Sequence, residues 1–164
     1  MRPGCILVTS GLVGPRRSIV SRLRQWRRGV SISDVLDDPQ LLGLEGERVA
    51  ARFLARNGYK VLYRNYRAPK GGEVDIVCRD RAESALVFVE VKTRRAGPHG
   101  TPAQAVTPAK QRLITRGALT WLRLLDNPEV RFRFDIVEVV VDGGGGVECS
   151  VIPNAFELPE PYIY

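Results

Sequence analysis

Apolar and polar positions along the chain separate into stretches of period near 3.6 and stretches of period 2, preceded by forty residues of weaker pattern. In LGLEGERVAARFLARNGY, Ala50, Ala51 and Leu54 follow Glu47 at three- and four-residue spacing, which predicts a helix over about 44–56 with Asn57-Gly58 as a left-handed cap. Glu47 then shares the packed face, an unusual place for a carboxylate. YKVLYRNYR, GGEVDIVCRD and ALVFVEVKT follow, three runs rich in β-branched and aromatic residues, predicted as antiparallel neighbours. Thr107 as N-cap and Pro108 at the first helical position open a second helix through about Leu125, with Leu113, Gly117, Trp121 and Leu124 on one stripe. Asn127-Pro128 stops it, RFRFDIVEVVV reads as a strand, the glycines at 143–146 as a turn, and VECSVIP as the partner strand. The order predicts an α/β protein, a sheet of about five strands with helices packed on it. Strand order is not legible from the pattern.

The leading residues 1–40 read as a basic, loosely ordered extension. Within it, Ile19, Val20, Leu23 and Trp26 suggest one amphipathic helix in the basic stretch 16–28. Residues 41–158 form the expected domain and 159–164 a tail. Charge changes this picture a little: the net charge is +7, and the extension, with seven Arg against three Asp, holds a surplus of four. The domain itself is only mildly basic, compatible with a polyanionic partner but not demanding one. Arg outnumbers Lys 21 to 4, for which codon bias is a better explanation than phosphate recognition.

A length of 164 residues suits one domain, and 44% hydrophobic with 26% charged residues is ordinary for a globular chain. No apolar run nears the roughly 20 residues of a membrane-spanning helix. Cys5, Cys78 and Cys149 are odd in number and widely spaced, which argues against a disulfide framework or a zinc site. With no convincing leader peptide, a cytoplasmic location is expected.

Candidate chemistry concentrates in the central strands. Glu90 and Lys92, two apart, project from one face of their strand. A turn centred near Ala82 and Glu83 sets Asp75 opposite Glu90, with facing Cβ atoms about 4.5–5.5 Å apart. Two carboxylates so close are reconciled by a cation, and hard oxygen ligands suit Mg²⁺ or Mn²⁺. Lys92 is then placed to act on a water or on developing phosphorane charge, with Glu47 as an outer ligand or water-positioning group. The same residues read equally as a salt-bridge ladder on a wet sheet face. Leu86 and Phe88, on the face of Glu90, point to a covered face and so toward the cation.

Taken together, GLEGERVAARFLARNGYKVLYRNYR, GGEVDIVCRD, FVEVKTR, AVTPAKQRLITRGALTWL, RFDIVEV and NAF resemble the bacterial YraN-like family over about 43–156. The resemblance implies the restriction-endonuclease-like layered fold, with a mixed central sheet, of PD-(D/E)xK nucleases and archaeal Holliday junction resolvases. It further implies that Asp75, Glu90 and the Val91 carbonyl ligate the metal, that Lys92 acts on the water, and that Glu47 matches the helix carboxylate of resolvase-like members. Lys110 and Gln111 match the family's K-Q pattern and are expected near phosphate or water. The expected function is metal-dependent cleavage of DNA phosphodiesters, in branched or structured DNA, with a homodimer among the expectations. The alternative is a non-catalytic nucleic-acid-binding or adaptor module on the same fold. Arg64, Arg67, Lys70, Arg94 and Arg95 would form a phosphate-binding rim. His99 reads as a loop residue, Trp121 as core, and Asp135 as a structural anchor for an arginine.

Overall fold

The computed structural model describes residues 21–23, 32–97 and 106–162. Their order is β1 (Ser21–Leu23), α1 (Ile32–Asp37), α2 (Pro39–Arg56), β2 (Tyr59–Arg67), β3 (Glu73–Asp80), β4 (Ala85–Arg95), α3 (Pro108–Leu124), β5 (Phe132–Val141) and β6 (Val147–Phe156). One mixed sheet takes the order β1-β6-β5-β4-β3-β2. Five of its strands are long; the three-residue β1 adds a sixth at one edge, antiparallel to β6. Ser21–Leu23 is thus extended where an amphipathic helix is expected, because β6 offers that segment a ladder; most of the remaining extension lies outside the described residues.

The predicted antiparallel run β2-β3-β4 is present, and β5 pairs antiparallel with β6. Only β4 and β5 are parallel, so the chain must cross over between them, and α3 makes the crossover. The strand pair at the centre is therefore covered on both faces. On one side Val49, Phe53 and Leu54 of α2 pack on Ile76, Cys78, Val87, Val89, Val137 and Val139. On the other, Ile114, Ala118 and Leu122 of α3 pack on Val77, Leu86, Phe88, Phe134 and Ile136.

Local chemistry sets where the helices lie. α2 starts at Pro39 and not near Leu44, since Asp38 caps it by accepting from the backbone N–H of Gln40 (2.8 Å) and Leu41 (3.1 Å). At its end only Gly58 (φ +90°) is left-handed, while Asn57 donates its side-chain N–H to the Phe53 carbonyl at 2.7 Å. α3 begins at the predicted cap, Thr107, but its buried stripe is rotated. Ile114, Ala118 and Leu122 face the sheet with Gly117, whereas Leu124 is exposed. Gly117 fixes that rotation, because a Cβ there would lie 3.0 Å from the Glu73 backbone. Tyr66 and Trp121, ring centroids 5.1 Å apart, close the far end of α3 against β2.

Asp135 anchors an arginine as expected. The Arg133 guanidinium reaches Asp135 (3.0 Å), Asp80 (2.9 Å) and Glu83 (2.6 Å), and Asp135 also accepts from Asn154 N–H at 3.0 Å. Burial drives the Asp135 carboxyl upward and Arg133 opposes it. This network ties β3, β5 and β6 together at the Asp80 end of β3.

Gly46 governs the approach of α2 to β4. A Cβ there would stand 1.8 Å from Thr93 Oγ1 and 2.8 Å from Thr93 Cβ, so the helix or the strand must yield. Gly46→Ala is expected to cost about 1–3 kcal/mol in urea denaturation. Adding Thr93→Ala should recover part of that loss, and a double variant no more stable than the single one would contradict the packing account.

Candidate active site

Strand β3 pairs with β4 from Asp80↔Ala85 down to Ile76↔Val89. The paired ladder ends at Ile76–Val89, and the same register continued one step would set Asp75 against Glu90. Beyond that pair the Asp75 side chain takes over from the backbone: Val91 N–H donates to Asp75 Oδ2 at 2.8 Å. Glu90 lies on the α3 face, as alternation with Leu86 and Phe88 requires, and is only 4% exposed. Asp75 is half-buried. Burial raises its pKa to about 7, and the Glu90 carboxylate adds to the rise, against the Val91 hydrogen bond and the charge of Lys110; Glu47 contributes in the same direction as Glu90.

Two ammonium groups flank Glu90. Lys92 Nζ stands 3.0 Å from Oε1, reached along the same strand face. Lys110 Nζ, from the first turn of α3, stands 3.2 Å from Oε2. The second contact is an ion pair without hydrogen-bond geometry, so buried Oε2 has no hydrogen-bond partner. The hydrogen bond of Lys110 goes instead to Glu73 Oε1, at 2.5 Å, while Arg67 binds Glu73 Oε2. Burial alone would lower the Lys110 pKa; Glu73, Glu90 and Asp75 outweigh it and raise it. Glu73 is correspondingly lowered, first by the Lys110 hydrogen bond.

Sequence reasoning passed over Glu73. Its signal is the two-residue spacing from Asp75 on the same strand. Glu47 arrives from α2, half-buried, with Asn65 near its carboxyl. Burial raises its pKa, with Asn65, Arg64 and Arg67 pulling the other way and Glu90 adding to the rise. The most buried acid of α2 is its neighbour Glu45, paired with Arg48 at 2.6 Å and structural in role.

The expected phosphate rim is only partly assembled. Arg64 and Lys70 are exposed, and Arg67 is largely exposed while engaged with Glu73. Arg94 is committed to Glu138 at 2.8 Å, and Arg95 reaches Asp37 at 3.5 Å. Gln111 serves the backbone: its side-chain N–H donates to the Val106 carbonyl at 2.9 Å and ties the incoming loop to α3. His99 lies outside the described residues.

Asp75, Glu90 and the Val91 carbonyl are the groups available to a divalent cation. Among the described residues no three His, Cys, Asp or Glu side chains are grouped as a metal cage. Two carboxylates with open positions are the donor set that Mg²⁺ accepts, since it keeps several waters and takes one or two protein carboxylates. The hydrogen-bond-free Glu90 Oε2 fits the same assignment.

The family profile of uncharacterised protein family UPF0102 matches residues 46–139. The chain belongs to this family. A UPF0102 protein of Pelobacter propionicus is 48% identical over 121 residues, covering 74% of this chain and 86% of the relative. One from Geobacter sulfurreducens is 46% identical over 119 residues (73% and 91%), and one from Symbiobacterium thermophilum 45% over 115 (70% and 95%). Every residue of the cluster, from Glu47 through Glu73, Asp75, Glu90 and Lys92 to Lys110, lies inside the UPF0102 segment; β1, α1 and β6 lie outside it.

The raised pKa of Asp75 has a consequence for stability. A carboxyl whose folded pKa lies above its unfolded value favours folding at low pH and loses that contribution as pH rises from about 4 through about 7. Asp75→Asn should therefore raise the melting temperature in chelator at pH 8 and raise it clearly less at pH 5. The ceiling is roughly 4 kcal/mol, since one pKa unit corresponds to about 1.4 kcal/mol. Equal changes in melting temperature at the two pH values would refute the assignment.

Proposed function

We propose that this UPF0102 protein is a metal-dependent DNA endonuclease acting on branched or otherwise structured DNA. The observation that supports this reading is that Asp75 on β3 accepts from the Val91 N–H, next to Glu90 on β4, with Lys92 Nζ 3.0 Å from Glu90. Mg²⁺ or Mn²⁺ held by Asp75, Glu90 and the Val91 carbonyl would supply Lewis acidity toward a phosphodiester oxygen and a more acidic water. Lys92 orients the nucleophilic water or matches the charge growing on phosphorus, and Glu47 steadies the outer shell from α2. Exposed Arg64 and Lys70 are available to phosphates flanking the scissile one.

A second reading keeps the fold and drops the chemistry. Lys92 and Lys110 both pair with Glu90, so lysines alone can compensate this carboxylate, as in a non-catalytic nucleic-acid-binding module. Uptake of Mn²⁺ that depends on Asp75 and Glu90 separates the two.

The direct assay incubates purified protein with linear, nicked and four-way-junction DNA in Mg²⁺ or Mn²⁺. Wild type should cut, and Asp75→Ala or Lys92→Ala should lose at least about 10²-fold in rate, the scale of removing a group that stabilises transition-state charge. Cleavage undiminished in Asp75→Ala points to a contaminant and defeats the enzymatic reading.

A further inference from the structure

Lys110 occupies a position that helix electrostatics disfavours. It sits in the first turn of α3, where the helix dipole is positive and acidic side chains are preferred. Its side chain is nonetheless about three-quarters buried, and two carboxylates hold the ammonium, Glu73 at 2.5 Å and Glu90 at 3.2 Å. The two contacts differ in kind. Glu73 receives a hydrogen bond, whereas Glu90 Oε2 receives only proximity and lacks any hydrogen-bond partner. Glu73 is also secured through its other oxygen by Arg67, so it stays in place whether or not Glu90 shares the lysine.

We infer that Lys110 is an exchangeable internal counter-ion of the Asp75–Glu90 pair, and that Glu73 is the positioning residue that takes sole charge of it when a divalent cation occupies Glu90. This inference rests on the metal-centre reading given above. A cation and the Lys110 ammonium compete for the same Oε2, and their charges repel at short range in a partly buried site. The charge count agrees. Four carboxyl groups (Glu47, Glu73, Asp75, Glu90) stand beside four cations (Arg64, Arg67, Lys92, Lys110), so even with every carboxyl ionised a divalent ion adds a positive excess. A phosphodiester carries the charge to offset it, with Lys110, released from Glu90, among its neighbours. The site thereby binds metal more weakly alone than together with a nucleic-acid anion.

The test is Mn²⁺ affinity by titration calorimetry and by electron paramagnetic resonance, with circular dichroism to verify folding. Lys110→Met should tighten Mn²⁺ binding about tenfold, and Lys110→Gln, which keeps a polar partner for Glu73, should do the same if the Met variant folds poorly. Glu73→Gln should weaken binding about tenfold in the wild-type background and much less in the Lys110→Met background, because the competitor it restrains is gone. Unchanged or weaker binding in both Lys110 variants overturns the inference, as does an equal effect of Glu73→Gln in the two backgrounds. A wild-type protein that takes up no Mn²⁺ sinks the metal-centre reading itself, a distinguishable result.

Discussion

A carboxylate buried in the central strand of a sheet must find positive charge within a few ångströms, and the requirement set by Glu90 organises this molecule. An unpaired charge at such a depth is strongly destabilising, and removing one partner of a buried pair typically costs about 3–5 kcal/mol. Two elements answer it. β4 supplies Lys92 two residues further along its own face, and α3 supplies Lys110 from its first turn. The second answer depends on the parallel pairing of β4 with β5, since that pairing forces the crossover that lays α3 over Glu90.

Close backbone approach makes the crossover fit. Gly117 lets α3 rest on the backbone of Glu73, and Gly46 lets α2 rest on Thr93. The two helices thus touch the sheet beside the two ends of the acidic cluster, one near β3 and the other near β4. Glycine is required at these places by contact distance and not by backbone angle, as both lie in regular helix. The Arg133 network stiffens the other end of β3, where Asp80, Glu83 and Asp135 share one guanidinium. One end of the sheet is fixed by a closed set of ion pairs, and the other holds a carboxylate oxygen without a hydrogen bond.

Much of this was legible in the sequence, and for identifiable reasons. Period-2 patterning survives in β4, and a short turn fixes register, so the pairing of β3 with β4 from Asp80–Ala85 to Ile76–Val89 is legible by counting. Thr107-Pro108 marked the start of α3 because capping chemistry is local. Strand order was not legible, since the parallel β4–β5 pair is joined across a helix and no local signal carries it. The rotation of α3 was missed because Leu113 and Leu124 are as apolar as Ile114 and Leu122, while the deciding contact, Gly117 on Glu73, lies between distant segments. Glu73 itself went unnoticed because its partners Lys110 and Arg67 come from another helix and another strand. The start of α2 was set by Asp38-Pro39, upstream of the periodic residues that drew attention.

The short β1 matters beyond its length. It covers Val147, Glu148 and Cys149 of β6, and it comes from chain that precedes the segment shared with the UPF0102 family. A fragment trimmed at its N-terminus to the start of that segment, and keeping β6, would leave those backbone groups as an open sheet edge, able to recruit a strand from another molecule. Self-association of such a fragment would then reflect the trimming and carry no information about how the intact chain assembles.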